Sequence, residues 1–509
     1  MKSIYVNIDI NTVNVPFLND LIRKDPFYVE DLYPFVDIYR GTQVTDILFN
    51  IFAQSSVTDS DCWDSYKELY ERTEENGIPV DYKDYWNSYY VINQVYKTDP
   101  FAVWIARCRS NGQNPWISIR MNDAHGFDND TYLIRSQFYY TALKNGWVLG
   151  ENYGYYKGCY NYAVPEVREK MLSYIREQVT RYDVYGLELD FVREIQCFPH
   201  MTADREECTR IMNGFIRQVK AIVREAEAVH GHPVKIAIRV GRDMTHTLHY
   251  GLDPVYWAKE KLFDVLIPTP RFRSSDSGMP VEEWKALLPG VEIVPGIETL
   301  VSVSNGCASA TKEIAFGLCA NYLSYDPDGL YFYNYFLSPL MYGHPPQEDS
   351  DAHPTWVQTR SLAVLHNCGD YETIYNNPVR FALVTQTDDH NGCPPCWQPV
   401  PARLSEEETV IELRTGAIPS GKLLSLIVGV KSETHAFSVS LNGSPCRGWM
   451  PVDIEFIPGM SNQWKTYVDP DVVCYRCVIG EEVLRDPVQT VTVTSPEGGI
   501  LSWVELDVV

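Results

Sequence analysis

The sequence predicts an α/β chain: a (β/α)8 TIM barrel followed by a C-terminal antiparallel β-sandwich domain. Short β-branched runs alternate with segments of helical period through residues 1–340, and eight such runs can be counted. From about Pro378 the helical period gives way to alternating segments broken by turn residues. Strands alternating with helices imply parallel pairing through right-handed crossovers, and eight such units imply closure into a barrel.

The expected strands are 4–9, 46–52, 115–121, 186–191, 235–240, 264–268, 291–296 and 329–335. Pro165 to Arg181 reads as a helix, with proline in the first turn and Val167, Met171, Ile175 and Val179 at near-helical spacing. A second helix runs from Asp204 to His230 and carries Ile211, Phe215, Val219, Ile222 and Val223. In the tail, Val410–Leu413, Ala436–Leu441, Thr490–Val493 and Leu501–Leu506 alternate as strands do, with Asn442-Gly443 and Gly498-Gly499 as turns. The boundary falls between His366 and Pro378. It gives a barrel over residues 1–370 and a sandwich over 371–509.

At 509 residues the chain is too long for one ordinary core, in keeping with two domains. Its 43 Lys and Arg face 67 Asp and Glu, a net charge of −24 that repels nucleic acid and anionic membranes and makes both poor partners. The first residues lack an apolar stretch of signal-peptide length, and no window approaches the roughly 18 apolar residues of a membrane span. Thirteen scattered cysteines suggest reduced thiols and a cytoplasmic location. Cys393-Pro-Pro-Cys396 and Cys474-Tyr-Arg-Cys477 could form a four-cysteine zinc site, but residues three apart in a strand face opposite sides. Neither metal nor cofactor is expected.

Alternate residues of a barrel strand face the helices and the lumen. In the fourth strand Leu187, Leu189 and Phe191 form the outward set, so Glu188 and Asp190 turn inward. The same parity turns Asn7, Asp9, Asn50, Ser118, Arg120, Asn122 and Arg239 inward, with Asn334 expected from the eighth strand. A lumen is normally filled by branched apolar side chains, and buried charge without a partner costs several kcal/mol as a rough figure. These groups therefore pair with one another or form a site at the C-terminal ends of the strands, where barrel enzymes keep their chemistry. Loops just beyond the strands add Asp123, His125, Arg193, Glu194, Arg242, Asp243, Arg271, Arg273 and Glu298.

Two carboxyl groups across a cleft can cleave a glycosidic bond, one as acid and one as nucleophile or base. Asp190 and Glu298, from the fourth and seventh strands, are the expected pair, and Glu188, one layer deeper, suits a supporting or pKa-setting role. Aromatic residues cluster at Tyr153-Gly154-Tyr155-Tyr156 and Tyr331-Phe332-Tyr333-Asn334-Tyr335, and most of these rings are expected to fill the core. Tyr155, Tyr156 and Trp147 fall in the long connection before the fourth strand, where rings could cover sugar faces, and Tyr155 is the expected contact. Arg120, Arg193, Arg239, Arg242, Arg271 and Arg273, all at or just beyond strand ends, suggest an acidic sugar such as a uronate. Neutralisation of the chain's own acids is an equal alternative.

Tyr185-Gly186-Leu187-Glu188-Leu189-Asp190-Phe191-Val192-Arg193 resembles the strand 4 segment of glycoside-hydrolase-like barrels, the family-10-like glycosyl hydrolases of uncharacterised specificity. Gly251-Leu252-Asp253-Pro254-Val255-Tyr256-Trp257 and Phe263–Pro268 resemble the following part of the same proteins. The resemblance implies a barrel and a carbohydrate context. It departs from the largest glycosidase clan, which carries Asn-Glu at the end of strand 4, and from chitinase-like D-x-D-x-E barrels, because Val192 stands at the last acid. The expected function is a glycoside hydrolase acting on oligosaccharides, with carbohydrate as its partner and homo-oligomerisation left open. The alternatives are a non-catalytic carbohydrate-binding barrel, or a metal-dependent enzyme using Asp123, His125, Glu188 and Asp190. The tail could bind sugar, with Trp449, Trp464 and Trp503 as stacking platforms, but it is expected to brace the barrel, with tryptophans of this kind packed in the sandwich core.

Overall fold

The computed structural model describes residues 2–9, 14–76, 86–125, 135–270, 275–298, 300–303, 306–309, 311–333, 362–383, 397–431, 436–453 and 471–509. The expectations placed on Arg271, Arg273, Asn334, Cys393, Cys396 and Trp464 lie outside the described residues, as does the side chain of Asp9.

The strands are β1 Ser3–Asp9, β2 Asp46–Phe52, β3 Asn114–Arg120, β4 Gly186–Asp190, β5 Lys235–Val240, β6 Val265–Pro268, β7 Glu292–Ile293 and β8 Gly296–Ile297. They are followed by a β9 Leu300–Val303 and β10 Gly306–Ser309 hairpin, and by β11 Gly329–Phe332. Nine of them form one curled parallel sheet in the order β7-β6-β5-β4-β3-β2-β1-β11-β8. Its two end members, β7 and β8, are separated in the chain only by Val294 and Pro295.

One expectation changes here. The segment 291–296, expected as a single strand, is interrupted at Val294-Pro295, where proline brings no N–H to the ladder. The first half pairs with β6 and the second with β11. The hairpin that follows has no counterpart among the expected strands.

Two helices that flank the sheet follow the sequence closely. Pro165–Arg181 starts on its proline and buries Val167, Met171, Ile175 and Val179. Arg205–His230 is capped by the Asp204 side chain, which accepts from the Glu206 and Glu207 amides, and it ends at left-handed Gly231. The apolar residues of the sheet divide into two groups. Ile4, Val6, Ile47, Phe49, Ile117, Ile119, Leu187, Leu189, Ile236 and Ile238 pack outward with the helices. Tyr5, Leu48, Trp116, Ala237, Val265, Ile267, Val294, Tyr331 and Tyr333 pack separately, on the inner face. Trp116 lies so close to Gly186 that a Cβ there would meet its ring at 2.1 Å, so only glycine fits at the start of β4. Below the site, Trp116 Nε1 donates to Asp46 at 2.8 Å, and the indole also meets the Tyr5 ring.

The tail consists of β12 Val379–Ala382, β13 Ala402–Leu404, β14 Thr409–Arg414, β15 Leu424–Lys431, β16 Ser438–Leu441, β17 Ser444–Pro445, β18 Met450–Val452, β19 Val473–Ile479, β20 Val488–Thr494 and β21 Gly499–Val508. They form two antiparallel sheets, β12-β21-β15-β19-β18 with β13 beside β21, and β14-β20-β16-β17. Cys474 and Cys477 both lie buried on β19. Trp503 is buried, with its indole N–H donating to Glu505. The helix Lys312–Leu323 runs against β12. At Gly317 an added Cβ would meet the Arg380 carbonyl oxygen at 2.1 Å, so the close approach of helix and strand depends on that glycine. Among the described residues, no helix is long and apolar enough to cross a membrane.

Candidate functional site

The register of the parallel sheet sets the inner polar residues side by side. Arg120 on β3 is opposite Asp190 on β4, and Asp190 is opposite Arg239 on β5. One layer down, Ser118 is opposite Glu188. Each is buried, and each stands on the inward parity expected from the sequence.

Arg239 is the hub. Its Nη1 donates to Asp190 Oδ1 at 3.0 Å and its Nη2 to Glu298 Oε1 at 3.5 Å, so one guanidinium bridges the two acids. Its carbon sits 3.5 Å from the centre of the Tyr333 ring, a cation–π contact that holds the fork in place. Asp190 Oδ1 also accepts from the Val192 and Arg193 amides, both at 2.9 Å. That oxygen is saturated by N–H donors. The other, Oδ2, is buried and has no hydrogen-bond partner.

Glu188 lies deeper. Asn7 Nδ2 donates to its Oε2 at 2.9 Å and also to Ser118 Oγ at 3.2 Å. Burial, and then the neighbouring Asp190 charge, push the Glu188 carboxyl up to about 7 from an ordinary value of 4.5. The Ser118 hydroxyl, the Tyr331 hydroxyl and the Arg239 charge offset part of that rise. Tyr331 approaches Glu188 without the alignment of a hydrogen bond. Burial keeps the Tyr331 and Tyr333 phenols protonated. Glu188 Oε1, Asn7 Oδ1, Asn50 Nδ2, Arg239 Nε and both tyrosine hydroxyls join Asp190 Oδ2 as buried polar atoms with unfilled hydrogen bonds. Buried polar atoms are normally satisfied, so such a concentration marks a place made for water or ligand.

A second constellation borders the first. Asp123 accepts from Arg120 Nη1 at 3.0 Å and from His125 Nδ1, and Arg193 Nη2 donates to His125 Nε2. The imidazole is thus held from both ring nitrogens, Nδ1 on the Asp123 carboxylate and Nε2 on the Arg193 guanidinium. Burial opposes ionisation of Asp123, but His125, Arg120 and Arg193 outweigh it and hold the carboxyl well below the usual range. His125 remains about one-third exposed and forms the solvent edge. Arg242 is used internally, on Asp276, Asp243 and the Gly278 carbonyl.

Sequence reasoning singles out Asp190, Glu188, Glu298, Arg239, Arg120, Asp123, His125 and Arg193, and these fall into two adjoining networks. Tyr155 is half exposed, on a short 3-10 segment, and its ring packs edge-on against Tyr156. Tyr156, rather than Tyr155, joins Ala124 in a small apolar cluster beside Asp123. Tyr331 and Tyr333 are the site residues that sequence reasoning misses. Among the described residues, no group of His, Cys, Asp and Glu has the arrangement of a metal site.

No known family model matches the chain, and no curated sequence is significantly similar to it. Three of the solved structures it resembles are a glycoside hydrolase family 18 N-acetylglucosaminidase from Paenibacillus barengoltzii, alpha-L-fucosidase isoenzyme 2 from Paenibacillus thiaminolyticus, and an Anoxybacillus alpha-amylase. For the first, identity is 13% and the TM-score 0.29, over 60% of this chain and 72% of that one. The fucosidase gives 12% and 0.40 over 75% of this chain, which spans about half of its length (51%). The amylase gives 14% and 0.35, over 94% and 98%. At these scores the likeness carries no weight in assigning chemistry, and nothing ties the chain to the family-10-like group that β4 resembles.

Proposed function

We propose that the chain is a glycoside hydrolase whose reacting carboxyl groups are Asp190 and Glu298, at the C-terminal rim of the parallel sheet. The supporting observation is the bridge: one buried guanidinium spans two acids beside a set of buried polar atoms that the protein leaves unfilled. In this reading β7 and β8 are two halves of one strand, the sheet is a closed (β/α)8 barrel, and the antiparallel tail from about residue 371 is a bracing sandwich.

Asp190 acts as nucleophile or base. Its Oδ1 is pinned by three donors and cannot swing, which leaves Oδ2 to attack the anomeric carbon or to take a proton from water. Glu298, on the longer contact to Arg239, gives its proton to the departing glycosidic oxygen. Glu188 is a positioning residue: in its neutral form it adds no second negative charge beside Asp190. Tyr331 and Tyr333 offer hydroxyls to the sugar. Asn7, Asn50, Arg120, Asp123, His125 and Arg193 complete the polar wall, and Asp9, Asn334, Arg271 and Tyr155 remain proposed contacts.

The acidic-sugar preference has less support, because Arg120 and Arg239 already donate to carboxylates of the chain. Hydrolysis should be measured on a panel of neutral and uronate-containing oligosaccharides, with Asp190→Asn and Glu298→Gln beside the parent. Loss of turnover in both variants supports the assignment. Binding without turnover by the parent on every member would instead favour the carbohydrate-binding alternative.

A further inference from the structure

We propose that a groove on the outer helices, away from the sheet interior, binds a small hydroxylated oxyanion, either a sugar acid or a sugar phosphate. The groove has a volume of about 770 Å3 and lies between the helix Arg205–His230 and the short helices Met244–His249 and Pro254–Lys259. That size suits a small molecule.

Its lining departs from the character of the chain. The protein carries a net charge of −24, yet Arg205, Arg210 and Arg217 line this groove against the single acid Glu206. Arg210 is held by Glu207, with its Nε at 2.7 Å from the carboxylate. Arg217 lies over the Tyr256 ring, 5.0 Å from its centre, and bonds its hydroxyl. Among the described residues no carboxylate pairs with Arg205. The helix N-terminus is not what draws the anion, since the Asp204 side chain already occupies the first amides.

A second observation comes from the opposite wall. His249 is only 8% exposed, and its Nε2 is buried with no hydrogen-bond partner. Burial, and then the charges of Arg205, His200 and His246, lower its pKa to about 4. It therefore stands uncharged beside Arg205, whose guanidinium an oxyanion in the groove would pair with. Guanidinium groups pair with carboxylate or phosphate oxygens in fork geometry. Glu206 and the Tyr256 ring suit the hydroxyl groups and the C–H face of a sugar.

Calorimetric titration of the full chain with glucuronate, glucose 6-phosphate, glucose and inorganic phosphate tests the site. One of the two charged sugars should bind clearly more tightly than glucose and than phosphate alone, and which one does so identifies the oxyanion. Arg205→Ala and His249→Ala should each weaken that binding by about tenfold or more, whereas Asp190→Asn should leave it unchanged. Failure of both charged sugars to bind overturns the proposal. So does equal binding of glucose or of phosphate alone, or weakening by Asp190→Asn in place of Arg205→Ala. The outcome is independent of whether the rim hydrolyses anything.

Discussion

Two of the buried acid–arginine networks, one in the tail and one on the rim, are built differently. In the tail, Arg380 grips Glu505 with Nε at 2.6 Å and Nη2 at 2.9 Å, and the Trp503 indole adds a third donor to the same carboxylate. Arg476 reaches Asp507, two residues further along β21, at 2.9 Å, and the other Asp507 oxygen is buried without a hydrogen bond. Both oxygens of Glu505 are occupied. On the rim, Arg239 instead divides its two Nη atoms between Asp190 and Glu298, and each of Asp190 and Glu188 keeps one oxygen without a partner. A bidentate pair with both oxygens used resembles a brace, while a shared cation with orphaned acceptors resembles a receptacle. Burial and charge alone would not have told Glu505 from Asp190; the difference is that both oxygens of Glu505 are filled and only one of Asp190 is.

The largest effect that could break this contrast is catalytic. Asp190→Asn should lower turnover by about 10²–10⁴-fold while leaving the midpoint of thermal unfolding close to that of the parent. Steady-state kinetics beside a melting curve checks both halves. A large loss of stability with unchanged turnover would make the rim network a second brace.

The mirror experiment is Arg380→Met. It strands Glu505, fully buried, without its principal cation, and the cost of breaking such a pair is about 3–5 kcal/mol. Denaturant unfolding should show that loss, with hydrolysis by the remaining folded protein unchanged.

How much of this is legible in the sequence depends on what carries the information. The inward parity of Glu188, Asp190, Arg120 and Arg239 can be read, because Leu187, Leu189, Ile236 and Ile238 alternate with them and period-two patterns survive without any knowledge of neighbours. Tyr331 and Tyr333 obey the same rule, with Leu330 and Phe332 outward, and are missed only because aromatic residues are credited to the core. The bridge cannot be read. That Arg239 touches Glu298, 59 residues on, depends on the sheet curling round, and alternation says nothing about which pairs meet across the interior. The break at Val294-Pro295 is visible as a proline, but its consequence, one chain segment shared between β6 and β11, is a property of register.

A pH experiment sharpens the contrast within the rim. A carboxyl raised from 4.5 to about 7 on folding favours its protonated form in the native state. Its contribution to stability is therefore complete below about pH 4.5 and is lost as pH rises through about 7. Keeping it ionised in the folded protein costs on the order of 3 kcal/mol. Glu188→Gln imitates the neutral form at every pH. It should match the parent near pH 4 and exceed it in stability above pH 7, with a flatter dependence between. Chemical unfolding at a series of pH values measures this, and parallel curves for the two proteins would refute it.

The smallest effect tests whether Asn7 sets the state of Glu188. Asn7 Nδ2 donates to Glu188 Oε2 at 2.9 Å, and a donor of that kind favours the ionised carboxylate over the neutral acid. Asn7→Ala removes it, at a cost of about 1 kcal/mol from the lost hydrogen bond. The Glu188 carboxyl should then titrate at still higher pH, and the alkaline limb of the stability curve should move upward with it. Asn7→Asp adds a negative charge at the same place and should push in the same direction more strongly, since two neighbouring acids resist ionising together. If both substitutions leave the limb where it is, the elevation of Glu188 is due to burial and Asp190 alone, and Asn7 belongs with the sugar-facing groups instead.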